Sequence, residues 1–545
     1  MNPLIQLRKM TPIFLVTLIR CSLIFLVPVE AYAISTQWVM DPISGDWNTA
    51  ANWDNGVPNG TADIATFARS NTTDVSISEN TKVNGIVFTA AATNPRYTIT
   101  ANPGLKLTIS GTGITNNADT IQEFVTAGGG VNIGTGGHVE FINNATAGSG
   151  AIRAVFTNNP GEAINAVGGL TSFHNSSTAA NCLFLNDGAT VSVGAGGMTA
   201  FTDSSHAANG FFINTGGTVK GAKGGSTIFD LNSHADSAFL LAEGGTNGGQ
   251  GGTILFQGNS HGGGQSNPGP QVEVFGNGTL DLSNHAPGTV TIGSIEGDGM
   301  VVFGPKVFEL DIGGNNMDTT FSGVIAGSGS GADLHKVGTG RLTLSGDANV
   351  GGDVDVDHGV LQVDGSLHSG NTFVKEGATL AGSGTVTNPT LEVHGGGTVS
   401  PGSTGQAGGL TVKGNYVQSG SATLIIQIKS AAEFSTLVVQ DFASLDGTLD
   451  PVLLNGFNVN VGDTFDFLFY HDHVGEFSKI EGDIWSITYE DRMAVLTLER
   501  LPSVPDQGST FLLLTLGLLG LVSFRRQSLR GQTKASGTLL LGNHR

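Results

Sequence analysis

The feature that most constrains this chain is a repeat. Five stretches align as FINNAT from Phe141, FHNSST from Phe173, FTDSSH from Phe201, FDLNSH from Phe229 and FQGNSH from Phe256, with phenylalanines 32, 28, 28 and 27 residues apart. A weaker sixth, LDLSNH, starts at Leu280. After each phenylalanine copy up to Phe229 a second apolar patch follows, as in CLFL, GFFI and SAFLL, and then a glycine pair or cluster. A period of this length marks stacked units, each able to bury its apolar face only against its neighbours.

The units cannot be helical. The chain holds 83 glycines in 545 residues, and each glycine inside a helix costs about 1 kcal/mol. The apolar stretches are instead short, rich in Val, Ile, Thr and Phe, and often alternating, as in TVSVG, VEVFG and TLDLS, which is the strand period. The expected fold class is all-β, an elongated parallel β-helix or solenoid with a short β-rich C-terminal cap. Each repeat is one rung, and Phe141, Phe173, Phe201, Phe229 and Phe256 stack inward. The glycines between strands are expected to supply the left-handed corners.

Five residues after each phenylalanine stand Thr146, Thr178, His206, His234 and His261, with His285 in the sixth copy. Rungs in register would bring these imidazoles to about the 4.8 Å strand spacing, so the four histidines are weak metal candidates. The preceding column, Ala145, Ser177, Ser205, Ser233 and Ser260, favours a polar corner in which threonine serves as well as histidine. No metal or other cofactor is expected.

Residues 319–366, TTFSGVIAGSGSGADLHKVGTGRLTLSGDANVGGDVDVDHGVLQVDGS, resemble the autotransporter-associated β-strand repeat. Ser322, Gly323, Ile325, Leu334, Lys336, Gly338, Gly340, Leu342 to Gly346, Gly351, Gly352, Gly359 and Leu361 occupy the places of that pattern. The resemblance implies a right-handed β-helix stalk of the passenger type and names no activity. Too little chain follows Arg500 for the membrane β-barrel that usually accompanies such passengers.

Both ends read as export signals. Residues 1–33 carry basic Arg8 and Lys9, two apolar runs and Ala31-Tyr32-Ala33, the A-x-A pattern of a secretory cleavage site at Ala31 and Ala33; the mature chain is expected to start near Ile34. At the other end, Val504, Pro505 and Asp506 precede Gly508, Ser509 and Thr510, an uncharged run from Phe511 to Phe524, and the pair Arg525 and Arg526. This order is similar to the PEP-CTERM family of sorting tails and closest to its V-P-D variant. The resemblance implies processing by an exosortase-type membrane protease, with residues 511–524 as a transient inner-membrane anchor. It also implies delivery to the cell envelope, surface or extracellular matrix. A third stretch, SGDWNTAANWDNGVPNG from Ser44, is similar to the opening of many exported bacterial β-helix proteins. Its Trp47 and Trp53 are expected to plug the first rung rather than to stack on sugars.

Charge narrows the partners. With residues 1–33 (net +2) and 504–545 (net +4) set aside from the total of −21, the body carries −27. Such a body repels nucleic acid and anionic lipid, so contact with membrane is expected only through the C-terminal segment before processing. Extracellular polysaccharide remains a candidate partner. Cys182 is alone once Cys21 leaves with the signal, so no internal disulfide forms.

The domain boundaries read as a signal peptide at 1–33, an N-terminal β region and solenoid start at 34–125, repeats at 126–300, the autotransporter-like region at 301–420, a β cap at 421–500 and the sorting tail at 501–545. The chain reads as an exported structural or adhesive protein of the cell surface or exopolysaccharide matrix, and not as an enzyme. The alternative is a polysaccharide lyase or hydrolase on the same scaffold. Its best acidic candidates are Asp353, Asp355 and Asp357, on one strand face and without Arg or Lys nearby in sequence. His471 and His473 form a second, weaker pair. No catalytic residue is assigned.

Overall fold

The computed structural model describes residues 33–500, except 94, 133, 151–153, 264–266, 305–308, 328–330 and 456–458. The two sorting segments therefore lie outside the described residues, Ala33 excepted. Among the described residues, strand pairs from Ser35 to about residue 430 are parallel, apart from the short returns of Gln406–Ala407 on Thr398–Ser403 and of Glu433–Phe434 on Thr423–Ser430. The strands form three sheets running along one stack: a long one of 28 strands, a flank sheet of nine in the N-terminal part and a flank sheet of ten in the C-terminal part.

The phenylalanine repeat sets the N-terminal rungs. In the long sheet, His138–Phe141, Leu170–Phe173, Met198–Phe201, Ser226–Phe229 and Thr253–Phe256 pair in unbroken register, phenylalanine on phenylalanine. Each of these rings is fully buried, and successive centroids stand 4.8, 4.7, 5.0 and 4.8 Å apart with planes nearly parallel. The second apolar patch builds a second ladder on the flank sheet, Phe124, Phe156, Phe184 and Phe212, stacked at 5.0, 4.8 and 4.8 Å. The two ladders meet edge to face inside the solenoid, at 5.7 Å for Phe173 and Phe184 and 5.5 Å for Phe201 and Phe212. Offset-stacked and edge-to-face rings each add about 0.5–1.5 kcal/mol beyond their buried area.

Beside the rings runs a polar ladder that alternation does not announce. Asn158, Asn186 and Asn214 are fully buried. Asn158 Nδ2 donates to Asn186 Oδ1 at 2.7 Å and Asn186 Nδ2 to Asn214 Oδ1 at 2.8 Å, each a 28-residue step. Thr171, Thr199 and Thr227 donate to the same amide oxygens at 2.8–2.9 Å. Fully satisfied networks of this kind fix register, because a slip would strand buried polar groups.

The expected role of glycine needs correction in these rungs. The corner two residues after each phenylalanine is left-handed, but its occupants are Asn143, Asn175, Asp203 and Leu231, with φ between 55 and 59°, and only then Gly258. Asn and Asp tolerate this backbone, and here each also serves the rung before: Asn143 N–H donates to Asn175 Oδ1 at 2.9 Å and Asn175 N–H to Asp203 Oδ2 at 2.8 Å. The glycine pairs do something else. A Cβ at Gly197 or Gly225 would drive into the carbonyl of Asn158 or Asn186 across the rung, so these glycines permit close approach of backbones.

Beyond about residue 300 the rungs shorten, reaching 19-residue steps between Arg341 and Thr398, and the core turns aliphatic. Leu342, Leu361, Leu380 and Val399 form one buried column. Gly338, Gly359, Gly377 and Gly396 sit one per rung at a left-handed corner, with φ of 65–82°, as expected for glycine corners. Lys336 is 1% exposed; its ammonium donates to the carbonyls of Val337, Gly338 and His358 at 2.7, 2.9 and 3.1 Å, tying one corner to the next.

Both ends are closed. Trp38, Trp47 and Trp53 pack on Phe67 at 5.5–6.1 Å, and the indole N–H groups of Trp47 and Trp53 donate to Pro58 O and Trp47 O. Parallel pairing continues beyond the expected cap boundary at 421, through Thr423–Ser430 with Thr448–Leu453 and on to Lys479–Ile480. What seals the C-terminal end is the antiparallel set Thr464–Phe469, Trp485–Tyr489 and Met493–Leu498.

Candidate functional site

Three surface features carry chemistry. The first is the histidine column. Thr146, Thr178, His206, His234 and His261 bridge in order, with imidazole centroids 4.8 and 5.2 Å apart and planes 7° and 26° from parallel. Parallel stacking points the ring lone pairs the same way rather than at a shared centre. His206 Nδ1 lies 3.0 Å from Asp236 Oδ2. Burial, the His206 neighbour and His261 depress the His234 pKa, against the pull of Asp236. The preceding serines Ser177, Ser205, Ser233 and Ser260 are fully buried, so the corner is polar but only its histidine row meets solvent.

His285 does not join the column. The sheet pairs Ile254 with Leu280, two residues out of the alignment that set Leu280 beneath Phe256, and His285 bridges to Gly258. It is 3% exposed, with Nε2 2.8 Å from Ser260 O. A two-residue offset leaves every side chain on the same face, so alternation alone cannot detect it.

The second feature is the outer face of the long sheet around Asp355. Glu309–Ile312, Asp333–Lys336, Val354–Val356 and Thr372–Val374 pair in sequence, which aligns Asp311, His335, Asp355 and Phe373 across the strands. The absence of a basic neighbour holds in the sequence only: the next rung brings Lys375 Nζ to 2.9 Å from Asp355 Oδ1 and 2.7 Å from Asp357 Oδ1. His335 sits among the carboxylates, with Nδ1 3.1 Å from Asp357 and 3.3 Å from Glu309, and Nε2 3.4 Å from Asp355. Burial works against ionisation of Asp357, but Lys375 and His335 outweigh it and hold its carboxyl below the usual range. Asp353 is not part of the cluster: its Oδ1 accepts the N–H of Asn371 at 2.6 Å.

The third feature was not read from the sequence. On the solvent side of the nine-stranded sheet, Leu183, Phe211 and Phe239 align in one column and Leu185, Ile213 and Leu241 in the next, with Val155 at the end of the first. Phe211 is 37% exposed, and its ring lies 5.9 Å from that of Phe239. The signal was present in CLFL, GFFI and SAFLL, whose residues are apolar at successive positions and so must show apolar side chains on both faces.

The weaker pair separates. His471 is exposed, while His473 stacks between Tyr470 and Tyr489 at 4.5 and 5.4 Å. Among the described residues no helix is long and apolar enough to cross a membrane. Val504, Pro505, Asp506, Gly508, Ser509, Thr510, Arg525, Arg526 and Ala31 lie outside the described residues. Ala33 is exposed, and next to it the N–H of Ile34 donates to Asp63 Oδ1 at 2.9 Å.

Comparison with known proteins adds two kinds of likeness. A stretch of 103 residues is 36% identical to the adhesin BmaC autotransporter of Brucella suis biovar 1 (strain 1330); it amounts to 18% of this chain and 3% of that adhesin, so the chain spans only a small part of its relative. Among solved structures, the Hap adhesin of Haemophilus influenzae aligns over 80% of this chain and 63% of its own, at 13% identity and a TM-score of 0.22; the fold rests on the strand register described above. Residues 503–528 match the VPDSG-CTERM motif. The chain thus carries an exosortase-type sorting signal behind a parallel β-solenoid body.

Proposed function

We propose that this protein is an exported adhesin-like rod: a β-solenoid displayed at the cell surface or in the exopolysaccharide matrix, holding other material by its flank. The observation that carries the reading is the outward apolar face of Leu183, Leu185, Phe211, Ile213, Phe239 and Leu241. A solvated sheet normally turns polar residues outward, and contiguous apolar surface marks contact sites. The sorting motif supports that destination, and the stretch similar to an autotransporter adhesin agrees with it. An exosortase-type protease is the processing partner, cutting near Val504 to Thr510 and releasing the body from a transient anchor at 511–524. At the other end, cleavage after Ala33 would turn the Ile34 N–H into an ammonium facing Asp63, replacing a hydrogen bond to a carboxylate by a hydrogen-bonded ion pair.

The test is attachment. Cells displaying the wild-type chain should retain on abiotic and polysaccharide-coated surfaces several-fold better than cells displaying F211E/F239E, with equal surface amounts and unchanged thermal stability. Equal retention would sink the adhesive reading. Release of soluble oligosaccharides from a glycan panel would favour the enzyme instead. Replacing Val504, Pro505 and Asp506 by alanine should leave the full-length chain in the membrane fraction; identical fractionation of wild type and variant would refute processing.

A further inference from the structure

We propose that Glu309, Asp311 and His335 form a binding site for one divalent transition-metal ion of the zinc class, on the outer face of the long sheet. The three residues present one ligand atom each within 4.8 Å of one another. Register puts them there: Asp311 pairs directly with His335, and Glu309 lies two residues before Asp311 on the same face. His335 Nδ1 and Glu309 Oε1 are 3.3 Å apart, and ligands held about 2.0–2.1 Å from a tetrahedral ion lie about 3.3–3.4 Å from each other. The mix of imidazole and carboxylate suits zinc, cobalt or nickel better than calcium or magnesium, which take oxygen alone.

Two observations beyond the clustering point to a cation. Asp311 Oδ1 is shut off from solvent and has no hydrogen-bond donor, a costly state for a carboxylate oxygen. The supporting groups are also in place. Thr289 donates to Glu309 Oε2 at 3.1 Å and Thr291 to Asp311 Oδ2 at 3.4 Å, leaving Oε1 and Oδ1 for the ion. The far nitrogen of His335, Nε2, faces Asp355 at 3.4 Å, and Lys375 holds Asp355. A ligating histidine whose second nitrogen donates to an anchored carboxylate is the usual outer shell of a zinc site. Asp357, 3.1 Å from Nδ1, is neutralised by Lys375 and gives up that contact when the ion enters. The fourth position is open to water.

The full chain, dialysed against excess zinc and then against buffer, should retain one zinc per molecule by mass spectrometry. D311N and H335Q should each weaken binding at least tenfold by calorimetry, and D355N by about 10–100-fold. The triple variant H206T/H234T/H261T should keep the zinc. Cobalt-loaded wild type should show the visible absorption of a tetrahedral nitrogen and oxygen set, a reading that needs no variant to fold. Zinc retained at wild-type affinity in both D311N and H335Q, zinc lost only in the triple-histidine variant, or cobalt spectra of octahedral type would each overturn the proposal.

Discussion

The two halves of the stack solve one problem with different materials. In the N-terminal rungs a 28-residue turn is filled by paired phenylalanine ladders and an asparagine ladder, and its corners are Asn, Asp and Leu in the left-handed backbone. In the leucine rungs between Arg341 and Thr398 a 19-residue turn is filled by leucine and valine, and its corners are glycine. Longer turns leave a wider interior, which aromatic rings fill; shorter turns leave room only for aliphatic side chains. In both halves glycine stands where backbones nearly touch, as at Gly225 and Gly365, and in the second it also holds the left-handed corners at Gly338, Gly359, Gly377 and Gly396.

The largest expected effect probes that difference. G225A should prevent folding of the N-terminal rungs, because its methyl would meet the backbone carbonyl of Asn186. G377A has open space around its Cβ and a φ of +76°, so it should cost only about 1–2 kcal/mol. Peptide-resolved hydrogen exchange reads the two halves separately, as a repeat stack requires; comparable losses in both variants would break the comparison.

Next come the interior polar groups. N186A strips partners from Asn158, Thr199 and Asn214, and each stranded group costs about 1–3 kcal/mol. K336M removes a charge whose burial pushes its pKa down to about 8 from 10.5, so part of what it loses is desolvation cost. Its destabilisation at pH 7 should be the smaller of the two by denaturant melting. The lysine also carries a pH signature. Between about 8 and 10.5 the unfolded chain binds that proton more tightly than the folded one, so wild-type stability should rise with pH across this window. K336M should abolish the rise.

Acid separates the halves more gently. The His234 pKa is lower in the fold than in the free chain, so its contribution is complete above about 6.5 and fades as pH falls below that value. Exchange protection in the histidine rungs should weaken as pH falls below about 6.5 while the leucine rungs hold. The smallest effect is that of H206T/H234T/H261T/H285T at pH 7.5. If these are polar corners, the melting temperature should stay within about 2 °C for the three exposed positions. Any larger drop should trace to His285, which alone of the four is buried.

Sequence pattern was enough for the solenoid, the rung length of the phenylalanine repeats and their inward column, because apolar side chains at a fixed period have one way to be buried together; the 19-residue leucine rungs were not read from it. It was not enough for the asparagine ladder, since a buried Asn186 and a solvated one look alike until a partner rung is in place. The offset at His285 was hidden for a related reason: a shift of two preserves inside and outside. The cluster at Glu309, Asp311, His335, Asp355 and Lys375 draws one or two residues from each of four rungs, so no local motif could reveal it. The Asp353, Asp355 and Asp357 run showed half of it and missed its counter-ion.

Parallel stacking of rungs has a mechanical consequence. Each rung is held only by the rungs above and below, so a pull between the two ends loads them in series and they peel one at a time. A 28-residue turn releases roughly 95 Å of chain and a 19-residue turn roughly 65 Å at about 3.3–3.6 Å per residue. A stretched molecule should therefore lengthen in steps that follow the turn being released, long ones from the phenylalanine rungs and the shortest from the leucine rungs between Arg341 and Thr398, and take up a sudden load by yielding turns rather than by letting go.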